Sequence, residues 1–198
     1  MRSDLLRDVS FWLFLLSVDE DLAAKTRKKG CPCSGRLHCA DYPRKPRGGP
    51  EDLPEQYRER FRKRFSFCCN QEGCRKRTTP PSVRFLGRKG FLGAVVILVA
   101  AVRQGPTPRR VRTLSELFEV DRRTITRWQT FWREHFPRTS FWKVARARLV
   151  PVFDVAVLPR SLLNAFVRSD DDREGWKRLL LFLSPITVTG GLEVEVFR

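Results

Sequence analysis

The run from Thr113 to Phe136, TLSELFEVDRRTITRWQTFWREHF, constrains the chain most, because its apolar residues fall where two short helices must pack at a steep angle. Leu114 and Phe118 form the inner face of a first helix, Val120 plugs the turn, and Ile125 and Trp128 form the inner face of a second. Thr113 and Glu116 have capping-box spacing at the first start, and Asp121 caps the second. The turn position usually held by glycine, where φ tends to be positive, is Glu119, which implies modest strain or a turn of different shape. The pattern is that of a helix-turn-helix. With Ile125 and Trp128 inward, the side chains of Arg122, Arg123, Thr126, Arg127 and Thr130 point outward. The plainer alternative is an amphipathic helix pair with a solvated basic face.

The charge balance bears on that choice. Lys and Arg number 39 against 22 for Asp and Glu, a formal charge of +17, which is the footprint of a polyanionic partner. The excess is uneven. Residues 25–90 hold 19 basic and 6 acidic side chains, residues 105–148 hold 11 and 4, and residues 150–198 hold 6 and 7. On an outward helix face, arginine bonds bidentately to guanine edges and threonine touches thymine methyl groups or phosphates. Arg109, Arg110 and Arg112, ahead of the first helix, suit backbone phosphates or a minor groove. The expected partner is double-stranded DNA.

The six cysteines, Cys31, Cys33, Cys39, Cys68, Cys69 and Cys74, sit in two clusters. No secretory signal precedes them: the apolar run from Phe11 to Val18 is short and leads into Asp19, Glu20 and Asp21. A reducing compartment and metal binding fit better than disulfides. Tetrahedral zinc takes four N or S ligands, usually as two close pairs. Cys31, Cys33, Cys69 and Cys74 are the favoured set, although the first gap is one residue shorter than usual. Cys68 competes, and His38 and Cys39 are spare ligands. Four protein ligands leave no open position for water, so such a zinc is structural. The alternative is a degenerate knuckle of buried free thiols.

The rest of the chain reads as mainly α with a small zinc-ribbon-like β element and the helix-turn-helix module. A helical segment over residues 1–30 stops at Gly30, with a possible restart at the capping-box pair Ser17 and Glu20. Residues 31–89 form a ribbon-like module. It opens on a loop-rich zone to Pro50 and contains a basic helix from Asp52 to Phe65, capped through Asp52 and Glu55. A strand follows from Phe65 to Cys69, for which Cys74 to Lys76 is the expected partner. Residues 90–139 hold a buried helix near Gly90 to Gln104 and then the helix-turn-helix. The run Phe91 to Val102 is too short to span a bilayer, which takes about 20 residues, so no membrane is expected. Residues 140–198 are an extension with helices at Ser161 to Val167 and Arg173 to Leu183 and a weak hairpin at the end.

The segments CPCSGRLHCADYPRKPRG and RFSFCCNQEGCRKRTTPPS, followed by the helix-turn-helix, resemble the DNA-binding front end of bacterial insertion-sequence transposases. The whole chain looks like short transposase-like bacterial proteins with a zinc ribbon and a helix-turn-helix. The resemblance implies DNA binding and a cytoplasmic, nucleoid-associated protein. It does not bring strand transfer with it. The roughly 60 residues after the motif are too few for a catalytic domain of about 100 or more. Asp154, Asp170, Asp171, Asp172 and Glu174 do not converge, as metal-ion catalysis requires. The expectation is a non-enzymatic DNA-binding protein, a transposase-related remnant or accessory. The alternatives are a transcription regulator, or a general RNA- or nucleic-acid-binding module working through YPRKPRGGP, Phe65 and Phe67.

Overall fold

The computed structural model describes residues 5–86, 91–102, 112, 116, 118–147, 154–169 and 171–187. The chain is mainly helical, with a small antiparallel sheet beside a cysteine cluster. Helix α1 spans Val9–Lys29 and is unbroken, so the spacing of Ser17 and Glu20 starts no second helix. Its cap is Asp8, whose carboxylate accepts from the Ser10 amide at 2.8 Å, and Gly30 ends it at φ 74°. Trp12, Leu15 and Leu16 are buried as the periodicity implies, whereas Leu13 and Leu22 are half-buried.

Next come β1 (Leu37–Cys39), β2 (Tyr42–Pro43), α2 (Glu55–Phe61), β3 (Lys63–Arg64), β4 (Phe67–Cys69) and β5 (Arg77–Thr78). Strands β1, β4 and β5 form one antiparallel sheet in that order, and β2 pairs with β3. Three expectations shift here. The loop zone contains two strands, because the prolines lie outside β1 and Pro43 sits in a strand too short to need its missing donor. Helix α2 is shorter than Asp52 to Phe65. Pro54 takes the N-cap position with no side-chain bond, and the chain leaves the helix at Arg62 to pair as β3. The partner of β4 is Arg77–Thr78 rather than Cys74 to Lys76, since Cys74 is held in the turn.

Helix α3 (Gly93–Val102) is the centre of the molecule, with Ala94, Val95, Val96 and Ile97 fully shielded from solvent. Burial of each of Val95, Val96 and Ile97 stabilises the fold by about 1.5–3 kcal/mol. Around it pack α4 (Arg122–Thr130), α6 (Arg160–Phe166) and α7 (Arg173–Leu183). Between α4 and α6 run a π-helical turn (Phe131–His135), a 3-10 turn (Phe136–Arg138) and α5 (Ser140–Arg146). Helices α5, α6 and α7 are therefore part of the core: Trp176 of α7 meets Phe11 at 6.3 Å, and Thr187, just beyond α7, accepts the Ser82 amide at 3.0 Å. The weak hairpin expected at the C-terminus lies outside the described residues from residue 188 onward.

Asp172 sets the start of α7. Its carboxylate accepts the Gly175 amide at 2.7 Å and the Arg168 amide at 2.9 Å, and these two bonds, Arg168's first, hold its pKa below the usual value. A Cβ on Gly175 would lie 2.3 Å from that carboxylate, so the helix start accepts only glycine there. Asp172→Ala is expected to cost about 1–2 kcal/mol in urea unfolding, with Asp172→Asn milder. Because the folded-state pKa is the lower one, the contribution is complete above the unfolded value of about 3.9 and fades as pH falls through the folded value. A wild type and an Asp172→Asn protein with identical acid-unfolding profiles would refute this.

Candidate metal centre and basic helix face

The cysteine cluster, a candidate metal centre, is built from two turns held side by side by the sheet. In the first, after α1, the Ser34 amide bonds to the Cys31 carbonyl at 2.9 Å and the Cys31 amide to the Gly35 carbonyl at 3.1 Å. Ser34 takes a left-handed conformation at φ 67°. In the second, between β4 and β5, the Cys74 and Arg75 amides bond to the Gln71 carbonyl at 3.0 and 3.1 Å. The turns are tied together because the Arg36 amide donates to Asn70 Oδ1 at 2.8 Å and the Asn70 amide to the Arg36 carbonyl at 2.9 Å. The run Cys33-Ser34-Gly35 reads in the sequence as a knuckle turn, whereas Asn70 gave no signal. A Cβ on Gly35 would lie 2.5 Å from Cys69 Sγ, so close approach requires the glycine.

This brings together Cys31, Cys33, Cys69 and Cys74, whose ligand atoms all lie within 4.8 Å of one another. Cys31 Sγ is 3.7 Å from Cys74 Sγ, and Cys33 Sγ is 3.4 Å from Cys69 Sγ. A tetrahedron with metal–sulfur bonds of about 2.3 Å has edges of about 3.8 Å, so the four thiols fit a metal ion. Among the described residues this is the one such cluster of metal-ligating side chains. The other candidates lie outside it. Cys68 faces the opposite side of β4, its thiol 3.4 Å from the Arg75 carbonyl, and His38 and Cys39 are exposed on β1. The Gly35 amide, with the neighbouring thiols, pulls Cys33 down to about 7, whereas burial pushes Cys69 up to about 12. The pocket thus holds one exposed, readily ionised thiol against a buried one that a metal must deprotonate.

The second feature is α4. Asp121 caps it, accepting the Arg123 amide at 2.7 Å. Ile125 and Trp128 are buried, Trp128 meeting Phe91 edge-on at 5.2 Å, and Phe118 and Val120 are buried before it. Arg122, Arg123, Thr126 and Arg127 are exposed, and Thr130 is half-buried. The Thr126 hydroxyl bonds to the Arg122 carbonyl at 3.1 Å, and Arg127 donates to Thr124 Oγ1 at 3.1 Å. Glu119 sits at φ 49°, the strained conformation its place in the turn implies. Arg112 is exposed on helical backbone, as is Glu116. Arg109, Arg110, Thr113 and Leu114 lie outside the described residues, so the first helix of the motif is not among the described elements. Helix α4 runs directly into the π turn, where Phe131 and Trp132 are buried.

The acidic side chains are engaged locally. Asp154 accepts the Ala156 amide at 2.9 Å at the head of a 3-10 turn, Asp172 caps α7, and Asp171 accepts from Ser169 Oγ at 2.8 Å. Asp170 lies outside the described residues. No helix among the described residues is long and apolar enough to cross a membrane. Compared with known proteins, the chain matches no family model, no curated protein and no solved structure.

Proposed function

We propose that this chain is a duplex-DNA-binding protein that reads the major groove with α4 and holds a structural zinc ion in its cysteine cluster. The observation that carries the reading is the partition of α4: Ile125 and Trp128 are buried, while Arg122, Arg123 and Arg127 are exposed and make no ion pair among the described residues. Some exposed cations elsewhere are matched to carboxylates, as Arg60 is to Glu20 at 2.9 Å and Arg58 to Glu55 at 2.6 Å. Unmatched guanidinium groups on one helix face, in a chain of net charge +17, fit a phosphate-rich groove.

The thiol geometry supports zinc in particular. Zinc accepts four thiolates at equal distance, and four protein ligands leave it no substrate position, so it would fix the two turns and do no chemistry. The resemblance of the ribbon and helix segments to transposase front ends favours an accessory or remnant of that machinery over a stand-alone enzyme.

Selection from random duplexes should enrich a defined sequence. Replacing Arg123 and Arg127 together by alanine should weaken binding to it by about 10- to 100-fold or more, since each base-edge arginine carries about 1–3 kcal/mol of discrimination. Binding to unrelated duplexes should change far less. A selection that enriches nothing, or a double variant with wild-type preference, refutes the reading.

A further inference from the structure

We propose that the outward face of the β1–β4–β5 sheet is a second nucleic-acid contact, one that grips the phosphate backbone without reading sequence. This deepens the reading of α4 as a duplex-binding helix and rests on it.

The register places His38, Cys68 and Arg77 in one row across the three strands. Side chains alternate along a strand, so this row faces away from Leu37, Phe67 and Cys69, which are buried on the inner side. His38 and Arg77 are exposed and Cys68 is half-exposed. The turns at the end of the sheet add Arg36 and Arg75, both exposed. None of these three Arg side chains is ion-paired among the described residues. Arg77 instead lies across the face, its Nη1 3.3 Å from the Ala40 carbonyl and 3.3 Å from Ser66 Oγ, with its guanidinium 5.7 Å from the centre of the Tyr42 ring. That leaves the remaining donors of a planar, anchored fork for an anion. The nearest acids in sequence are Asp41, which accepts the Ser66 amide at 2.8 Å, and Glu72, exposed in the second turn.

A zinc ion with four thiolates carries a net charge of −2, so part of this positive charge offsets the metal centre. The excess over that, on an exposed sheet face free of large apolar side chains, suits a phosphate backbone. A protein partner would call for buried apolar anchors, which this face lacks.

The test compares three forms of the full-length zinc-loaded chain: wild type, Arg36→Ala/Arg75→Ala/Arg77→Ala, and Arg123→Ala/Arg127→Ala. Each is titrated by fluorescence anisotropy against a selected and a scrambled duplex over a range of KCl concentrations, with zinc content measured alongside. Each phosphate contact contributes about 0.9 to the slope of log K against log salt. The ribbon variant is expected to lose about 2–3 from that slope equally on both duplexes, and Arg→Lys at the same positions to restore it. The α4 variant should lose its sequence preference. A ribbon variant with wild-type slope and full zinc overturns the inference and leaves the reading of α4 standing. An α4 variant with undiminished preference refutes that reading alone, and a wild type that binds neither duplex refutes both. Should the triple variant lose zinc, alkylation of Cys68 decides in the nearly native Cys39→Ser protein. Duplex should slow its modification several-fold, and an unchanged rate overturns the inference.

Discussion

Chelating the metal from the zinc-loaded protein is expected to unfold the ribbon while the helices around α3 stay folded. The sheet is too small to stand alone, with strands of 3, 3 and 2 residues. Sheets of that size need an external constraint. Apparent zinc-binding energies of about 10–16 kcal/mol, as in zinc-finger peptides, exceed the ~1.5–3 kcal/mol that each of the buried Leu37 and Phe67 side chains contributes. Hydrogen exchange should lose protection at the Cys69 and Asn70 amides, which bond across the sheet and between the turns, and keep it at Val96 in α3. Cys69→Ser and Cys31→Ser should reproduce the loss and bind less than one zinc per chain. Cys68→Ser and Cys39→Ser should bind it fully, because neither thiol belongs to the cluster. Gly35→Ala should behave like the ligand variants, since its Cβ would press on Cys69 Sγ. Loss of zinc on Cys68→Ser equal to that on Cys69→Ser would overturn the ligand set. A metal-free chain that kept its exchange protection would overturn the structural role.

Those predictions follow from residues whose placement the sequence revealed unevenly. Helices α3, α4 and α7 were legible: α3 from an unbroken apolar run, and α4 from the spacing that puts Ile125 and Trp128 on one buried face. The clustering of Cys31, Cys33, Cys69 and Cys74 was legible too, since pairs of cysteines close in sequence could offer a metal its ligands two at a time. Of the ribbon strands, β4 was legible within the expected Phe65 to Cys69, and the others were not. Two or three residues are too few to show an alternation, and β1 pairs with β4 across a separation of roughly 30 residues that no local pattern records. Glu119 shows the reverse: a rule about turn backbone left strain or a different turn shape open, and the residue carries φ 49°. The deepest miss was Asp19. It occupies a helix position flanked by Glu20 and Asp21, where a run of acids reads as a solvated face, and it is 1% exposed. Its partner Arg84 lies 65 residues away and looked like one more basic side chain in a basic chain.

Asp19 and Arg84 carry the second large effect, a loss of about 3–5 kcal/mol when either is removed. Both side chains are fully buried, with Arg84 Nε 2.8 Å from Asp19 Oδ2. Asp19 also accepts from Ser82 Oγ and the Val83 amide, each at 2.6 Å. Arg84 donates to the Phe61 carbonyl at 2.6 Å and the Lys63 carbonyl at 3.2 Å, and lies over the rings of Phe61, Phe65 and Phe85 at 5.4, 5.3 and 5.0 Å. The pair thus pins α1 to the end of α2, to β3 and to the strap 82–85. The two partners are not equivalent, because Arg64 is a second cation in the same interior, 3% exposed and bonded to the Pro80 carbonyl. Burial pulls the Arg64 pKa down, and attraction to Asp19 opposes that pull. Arg84→Met leaves Asp19 with Arg64 still nearby. Asp19→Asn strands two guanidinium groups with no carboxylate, so it should be the more costly of the two in urea denaturation. Arg84→Met on top of Asp19→Asn should then recover part of the loss by removing one stranded charge, while the Phe61 and Lys63 carbonyls stay without their donor. Equal losses for the two single variants, or a double variant no better than Asp19→Asn, would show that Arg64 does not share the carboxylate.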